Sequence, residues 1–400
     1  MWRKTVNFGN TLREKRELYE VSQQRLAVAS QKSRRYISMI ETGHYEPSDT
    51  TKKVLLQALE QLNPDNELSL VFDYVRLRFD THDEKHIIEN VLKIKMKYML
   101  YEDYAFYGYI AKYAFGHIQV MISPEEDDKG TLIELKGQGC REFESLLLAQ
   151  NRSWFDFFMR CEKENVHYKR IDLAINDRVG LLSIPYLAEK CKRREMTSKF
   201  RSFQALGSGK FASEDESSFV GNTLYLGSLK SDIYFCFYEK DIEQMIKLGV
   251  SPEEAVIKNR YEIRLKNDRA YHAMQDLLIY RDCERTIFNI MTSYLTFLEP
   301  NKTKKKSNWP IDASWEVFIG KNREKIKLTT QPKPVELSRT LLWLQRQVAP
   351  TLKMLLLIDR ENATNKINDL LNATSLSEKH EKLIEQNSTL IQELITKEGD

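Results

Sequence analysis

The five cysteines, at 140, 161, 191, 236 and 283, are scattered, and no two form a CxxC pair. An odd, dispersed set excludes a disulfide framework or a zinc ribbon. The seven histidines contain no His-x-His triplet, and no G-x-x-x-x-G-K-[ST] loop occurs. Neither that compact metal pair nor a nucleotide-hydrolysing loop is therefore expected. His82 and His86, four apart, read as a solvated helix face. No apolar run approaches the ~18–20 residues of a membrane span. The opening Met-Trp-Arg-Lys-Thr-Val-Asn has no apolar signal-peptide core. The expectation is a cytoplasmic protein with no membrane insertion. One-sided charge is also missing: 61 Lys+Arg face 58 Asp+Glu, a net +3. That excludes a polycation, so any nucleic-acid surface must be a local patch.

What is present suits globular domains. With 42% hydrophobic and 30% charged residues over 400 positions, about two or three domains are expected at ~150 residues each. Residues 1–66 read as short helices with tight turns. Residues 68–300 alternate β-rich and helical runs, and residues 307–400, past the basic break at 301–306, read as mostly helical. The fold class expected is α+β: an all-α N-terminal domain, a mixed-sheet α/β domain, and a helical C-terminal region with a charged end that frays.

Residues 22–43 carry the first constellation. Leu26, Ala27, Ile37 and Ile40 recur at helical spacing, Ser22 and Ser33 stand at N-cap positions, and Gly43 ends the third helix. The stretch resembles the helix-turn-helix of Xre/Cro-type repressors. The apolar residues would lock two helices together. Lys32, Ser33, Arg34, Arg35 and Ser38 would then face a major groove, with Gln23 and Gln24 near the DNA backbone or a base edge.

The second constellation lies on expected strands. Side chains alternate between faces, so Glu134 opposes Ile133 and Leu135 in Thr131–Lys136. Arg170 and Asp172 oppose Ile171 and Leu173. Tyr234, Cys236 and Tyr238 oppose Ile233, Phe235 and Phe237, and Arg260, Glu262 and Arg264 align. Carboxylates gathered on one sheet face repel unless a cation joins them, and hard divalent ions suit such oxygens. A tyrosine beside such an ion is a candidate nucleophile for phosphoryl transfer. Alternation alone leaves open whether these strands are neighbours, and a solvated polar face fits it equally.

Four blocks then match a known pattern: Arg170-Ile-Asp-Leu-Ala-Ile-Asn-Asp177, Thr223-Leu-Tyr-Leu-Gly-Ser228 with Ser231-Asp232, Phe237-Tyr-Glu-Lys240, and Arg260-Tyr-Glu-Ile263. In order and spacing they resemble the Rep_trans family, which includes rolling-circle plasmid initiators and the MobT relaxases of conjugative transposons. The fused N-terminal reader is more similar to the MobT type. The resemblance implies a site-specific nicking-closing strand transferase. Tyr238 would be the nucleophile, with Mg²⁺ or Mn²⁺ held by Glu134, Asp172 and Glu262, and Arg170, Arg260 and Arg264 on flanking phosphates. Asn176 stands where plasmid initiators usually carry Asp, and Asp177 would face the other way. Implied partners are origin DNA, duplex and single-stranded, a host superfamily 1 helicase and a conjugative coupling protein. A rolling-circle initiator with the same chemistry, and a non-enzymatic repressor, are the alternatives.

Overall fold

The computed structural model describes residues 8–396 except 20, 31, 63–66, 211–217, 250, 253, 321–325 and 336–337. The expected linker at 62–66 thus falls almost wholly outside the described residues. The chain opens with four helices, α1 (Phe8–Leu18), α2 (Gln23–Ser30), α3 (Arg34–Glu41) and α4 (Asp49–Gln61). Both expected caps form: Ser22 Oγ accepts from Arg25 N and Ser33 Oγ from Tyr36 N, each at 3.1 Å. Leu12, Leu26, Ala27, Ile37, Ile40, Leu55 and Leu59 close one core. Gly9 lets α1 press on α3, because a Cβ there would sit 2.0 Å from Ile40 O.

A large sheet comes next. Its strands are β1 (Leu68–Phe79), β2 (Leu100–Glu102), β3 (Ala111–Phe115), β4 (Ile118–Ile122), β5 (Thr131–Lys136), β6 (His167–Asp177), then β7 (Met196–Ser198) apart from it, β8 (Phe203–Lys210), β9 (Ser218–Leu226), β10 (Ile233–Glu239) and β11 (Asn259–Lys266). The order is β2-β3-β4-β5-β1-β6-β11-β10-β9-β8, antiparallel throughout. β12 (Leu295–Phe297) pairs with β7, and β13 (Lys327–Leu328) adds a parallel pairing, on β1. The apolar face of the sheet, with Phe72, Val75, Leu173, Phe235 and Ile263, is covered by α6 (Gln138–Ala149), α7 (Trp154–Lys163), α8 (Ile184–Lys192), α10 (Asn267–Tyr280) and α11 (Cys283–Tyr294). Between α8 and α10 in sequence, α9 (Lys240–Leu248) starts directly at the end of β10.

Three differences from the expected layout have physical causes. The helix expected over 84–97 closes early, in a wide turn at 87–92 that buries Ile87, Ile88, Val91 and Leu92 together and stops at left-handed Lys93 (φ 56°). The basic break at 301–306 does not detach the next segment from the sheet domain, because Trp315, Phe318 and Ile326 return to the main core. The charged C-terminus docks up to its last described residues: Gln386 is buried and donates to Tyr98 O and Ala114 O, and Ile395 bridges Ile94. Among the described residues no helix is long and apolar enough to cross a membrane.

The two units touch. Val256 and Ile257, in the segment between α9 and β11, are buried in the helix-turn-helix core. Lys258 O, one residue on, accepts from Lys240 N and Asp241 N. The helix-turn-helix is thereby mounted on the segment that leads into β11 and receives the first N–H groups of α9.

Candidate active site

Antiparallel register turns the alternation of single strands into rows across one face. The first row is Asn176, Arg260, Tyr238 and Thr223, on β6, β11, β10 and β9. The next holds Glu262, Cys236 and Tyr225. A third runs Lys136, Tyr74, Asp172, Arg264, Tyr234, and a fourth Glu134, Arg76, Arg170, Lys266. A bulge in β1 adds Asp73 to this face. Above these rows lies a cleft of about 680 Å³, lined by Tyr238, Glu262, Asp172, Arg260, Arg264 and Lys240 among others.

Tyr238 lines this cleft. Its hydroxyl donates to Glu262 Oε1 at 2.8 Å, and Lys240 Nζ lies 3.5 Å from the same hydroxyl oxygen. Burial raises the phenol well above its ordinary pKa; Arg260 opposes that and the Glu262 charge adds to it. The free protein therefore holds Tyr238 as the phenol. Lys240 is pushed below its usual value, by burial and then by Arg260. Arg260 donates to Asn176 Oδ1 at 2.8 Å and to Asp73 Oδ1 at 2.9 Å. Burial works against the Asp73 carboxylate, but Arg260 and Arg141 outweigh it and hold its pKa low.

Tyr234, the other tyrosine on this strand face, has a different setting. It is buried, accepts from Arg264 Nη1 at 3.1 Å and does not line the cleft. It lies four positions from Tyr238, about 13 Å along a strand.

The three carboxylates expected around one metal ion are not brought together as a triad. Asp172 and Glu262 are diagonal neighbours on β6 and β11. Glu134 lies beyond β1, where it accepts from Tyr74 and, at 3.0 Å, from Tyr107, and pairs with Lys136 at 2.7 Å. Among the described residues no group of three or more His, Cys, Asp or Glu is gathered as a metal site. The Asp172–Glu262 pair does fit a hard divalent ion, since Mg²⁺ is commonly held by one or two carboxylates with water and phosphate oxygens. Asp172 is raised to about 6, first by burial and further by the Glu262 charge, against Arg170. A cation would relieve that crowding. Arg170 chelates Asp172 at 2.9 and 2.6 Å, and Arg264 binds Glu262 Oε2 at 2.9 and 2.6 Å.

On the N-terminal unit, Ser33, Arg34 and Arg35 are exposed at the start of α3, with Lys32, Ser38 and Gln24 partly so. Gln23 turns inward and donates to Glu41 Oε2 at 2.8 Å. Asp177 points away from the cleft, accepting from Tyr261 Oη at 2.6 Å and from Gly180 N at 2.7 Å. Sequence reasoning gave no role to Asp73, Lys240 or Arg141. The signal for Lys240 was its place two residues after the tyrosine; for Asp73 and Arg141 there was none.

Comparison with known proteins agrees with this architecture. Residues 166–371 match the Rep_trans family, described as replication initiation factor. The chain belongs to that family. In this Rep_trans protein, residues 69–160 also match the rolling circle replication initiation protein N-terminal domain, and residues 12–65 a helix-turn-helix family. A curated relative from Bacillus subtilis (strain 168), described as "Putative DNA relaxase NicK", is 35% identical over 340 residues, covering 85% of this chain and 96% of the relative. The solved rolling circle replication initiator protein from Geobacillus stearothermophilus is 26% identical, with a TM-score of 0.56 over 66% of this chain and 99% of that one. At family level these support a nicking-closing DNA strand transferase with an N-terminal DNA-binding helix-turn-helix.

Proposed function

We propose that this Rep_trans protein is a relaxase that nicks one strand at an origin of transfer to start conjugative DNA transfer, with Tyr238 as nucleophile. The observation that carries the reading is the setting of Tyr238: alone of the two tyrosines facing this side of β10 it opens into the cleft, with its hydroxyl on a carboxylate and two cations beside it.

In the step proposed, Oη bonds to the scissile phosphorus as the P–O3′ bond breaks. The phenol proton passes to Glu262 Oε1, which already accepts it in a hydrogen bond. The 3′ oxygen leaves in line and is protonated from solvent. A 5′-phosphotyrosyl bond remains, so the phosphate ester is conserved and resealing needs no nucleotide hydrolysis. Arg260 and Lys240 place positive charge where the crowded phosphate gains negative charge. A divalent ion, Mg²⁺ or Mn²⁺, held by Asp172 and Glu262 would supply further charge neutralisation at that phosphate.

The exposed start of α3 suits duplex DNA beside the nick, while the cleft suits an extruded strand. Supercoiled origin DNA incubated with the protein and Mg²⁺ or Mn²⁺ should become nicked and covalently attached. A non-enzymatic repressor would bind the duplex and leave it intact. The same chemistry would serve a rolling-circle initiator, a reading favoured by the similarity to the Geobacillus initiator; separate transfer and replication assays distinguish the two. A superfamily 1 helicase and a conjugative coupling protein belong to the transfer reading, and pull-down from a conjugating host checks both.

A further inference from the structure

The connection from β2 to β3 breaks a rule of soluble surfaces. Tyr101, Tyr104, Phe106, Tyr107 and Ile110 are each about half exposed, so five of ten consecutive residues present large apolar groups to solvent. Single exposed rings are ordinary, but a contiguous patch marks a binding surface.

Three observations say what it binds. First, the rings are backed by cations. Lys112 Nζ lies 4.4 Å from the Tyr104 ring centre and 5.4 Å from that of Phe106, while Arg76 lies 4.5 Å from that of Tyr107. Each cation is balanced by a carboxylate, Lys112 by Glu102 at 3.1 Å and Arg76 by Glu134 at 4.0 Å, so the half-exposed rings offer stacking faces for nucleobases. Second, the loop is held rather than loose. Tyr109 is buried with Met121 and Leu132, and Tyr107 Oη is fixed on Glu134. Tyr107 also adopts φ 60°, a left-handed conformation costly for a bulky residue and characteristic of functional sites. Third, the patch is continuous with the catalytic face. Arg76 and Arg170 stand directly opposite each other on β1 and β6. Each is balanced by a carboxylate, Arg170 by Asp172 at 2.9 and 2.6 Å and Arg76 by Glu134 at 4.0 Å, and both guanidiniums gather at the Tyr74 ring, at 5.9 Å for Arg76 and 4.0 Å for Arg170. They bridge the rings to the Asp172–Glu262 cleft. β5 and β10 are four strand spacings apart, about 19 Å.

We propose that Tyr101, Tyr104, Phe106 and Tyr107 form a stacking platform for the bases of single-stranded DNA, and that Arg76 and Arg170 carry its phosphates on toward Tyr238. This rests on the relaxase reading for its purpose. It also explains the position of Glu134, which fixes Tyr107 and belongs to the platform.

The test uses the full-length protein and fluorescence anisotropy with a labelled oligothymidylate of about 20 nucleotides, longer than one stacking site. The comparison ligand is an abasic strand of equal length. The wild type should favour the oligothymidylate. Tyr104→Ala with Phe106→Ala should weaken it by about tenfold or more, since each stacked ring is worth roughly fivefold to a hundredfold. Binding of the abasic strand and of duplex DNA should stay the same. Tyr104→Trp with Phe106→Trp should restore the preference. Unchanged oligothymidylate binding by the alanine pair, no preference in the wild type, or failure of the tryptophan pair to restore it overturns the platform. The two readings fail separately: absence of a covalent adduct with the wild type ends the relaxase assignment, whereas ring-dependent binding is read without any cleavage.

Discussion

In the helix-turn-helix unit Arg16 grips Glu41 through hydrogen bonds of 2.6 and 2.9 Å, one to each carboxylate oxygen. On the sheet face Arg264 grips Glu262 at 2.9 and 2.6 Å, but both bonds end on Oε2. What remains free differs. Glu41 is saturated by Gln23, and Arg16 by Val21 O at 2.7 Å, so this pair is sealed between helices. Glu262 keeps Oε1 for the Tyr238 hydroxyl and faces a cleft. The same residue types are thus sealed between helices in one unit and open to a cleft in the other, where the oxygen that Arg264 leaves to Tyr238 is the one the proposed chemistry would use.

The sharpest way to break this comparison is at the nucleophile. Tyr238→Phe should lower nicking by ~10³-fold or more while duplex binding survives, measured on supercoiled origin DNA. Tyr234→Phe should retain most activity. Next comes a crossed pair of carboxylate variants. Glu262→Gln should reduce cleavage by about a hundredfold, as expected for a lost proton acceptor, with little change in duplex binding. Glu41→Ala removes the close carboxylate partner of buried Arg16, a cost of ~3–5 kcal/mol. It should lower the melting temperature of the N-terminal unit and weaken duplex binding, while cleavage of a single-stranded origin oligonucleotide persists. If both variants lose both functions, the two units are one cooperative body and the contrast fails.

Much of the site was legible because strands alternate. Thr131–Lys136 and Ile233–Glu239 form with the expected bounds, and Asp172, Tyr238, Glu262 and Arg264 share a face as their parity requires. Strand neighbours were not legible, since pairing is non-local. β1 inserts between β5 and β6 and takes Glu134 away from Asp172. Asp73 was hidden by the bulge. Before it Leu68, Leu70 and Phe72 face the core; after it Val75, Leu77 and Phe79 do. The parity flips at Asp73, so both Asp73 and Tyr74 reach the cleft side. Trp315 and Phe318 were obscured by the basic run before them, which reads as a boundary although the next short helix returns to the core.

Acid should sharpen the contrast further. Asp172 holds its proton up to about pH 6 because burial disfavours its anion. The neutral form binds a divalent ion poorly, so metal-dependent cleavage should fall as pH drops through 6, toward tenfold per unit. Duplex binding should not follow that curve. A pH–rate profile at sub-saturating Mg²⁺ checks this, since a saturating ion would displace the proton and move the fall to lower pH, and EDTA should stop cleavage at every pH. The smallest effect belongs to the reader. Arg34→Ala with Arg35→Ala should weaken duplex-origin binding about tenfold and flatten its salt dependence, leaving single-strand cleavage intact in parallel assays.

The central claim, that Tyr238 carries the DNA, is tested most directly by locating the adduct. The protein is incubated with a single-stranded origin oligonucleotide and Mg²⁺ or Mn²⁺, then digested with trypsin. Cleavage after Lys230 and Lys240 releases one peptide, Ser231 to Lys240, that contains both Tyr234 and Tyr238. Fragmentation of the nucleotide-bearing peptide by mass spectrometry should place the phosphodiester on Tyr238. A modification on Tyr234, or on Tyr225 in the preceding peptide, would contradict the account.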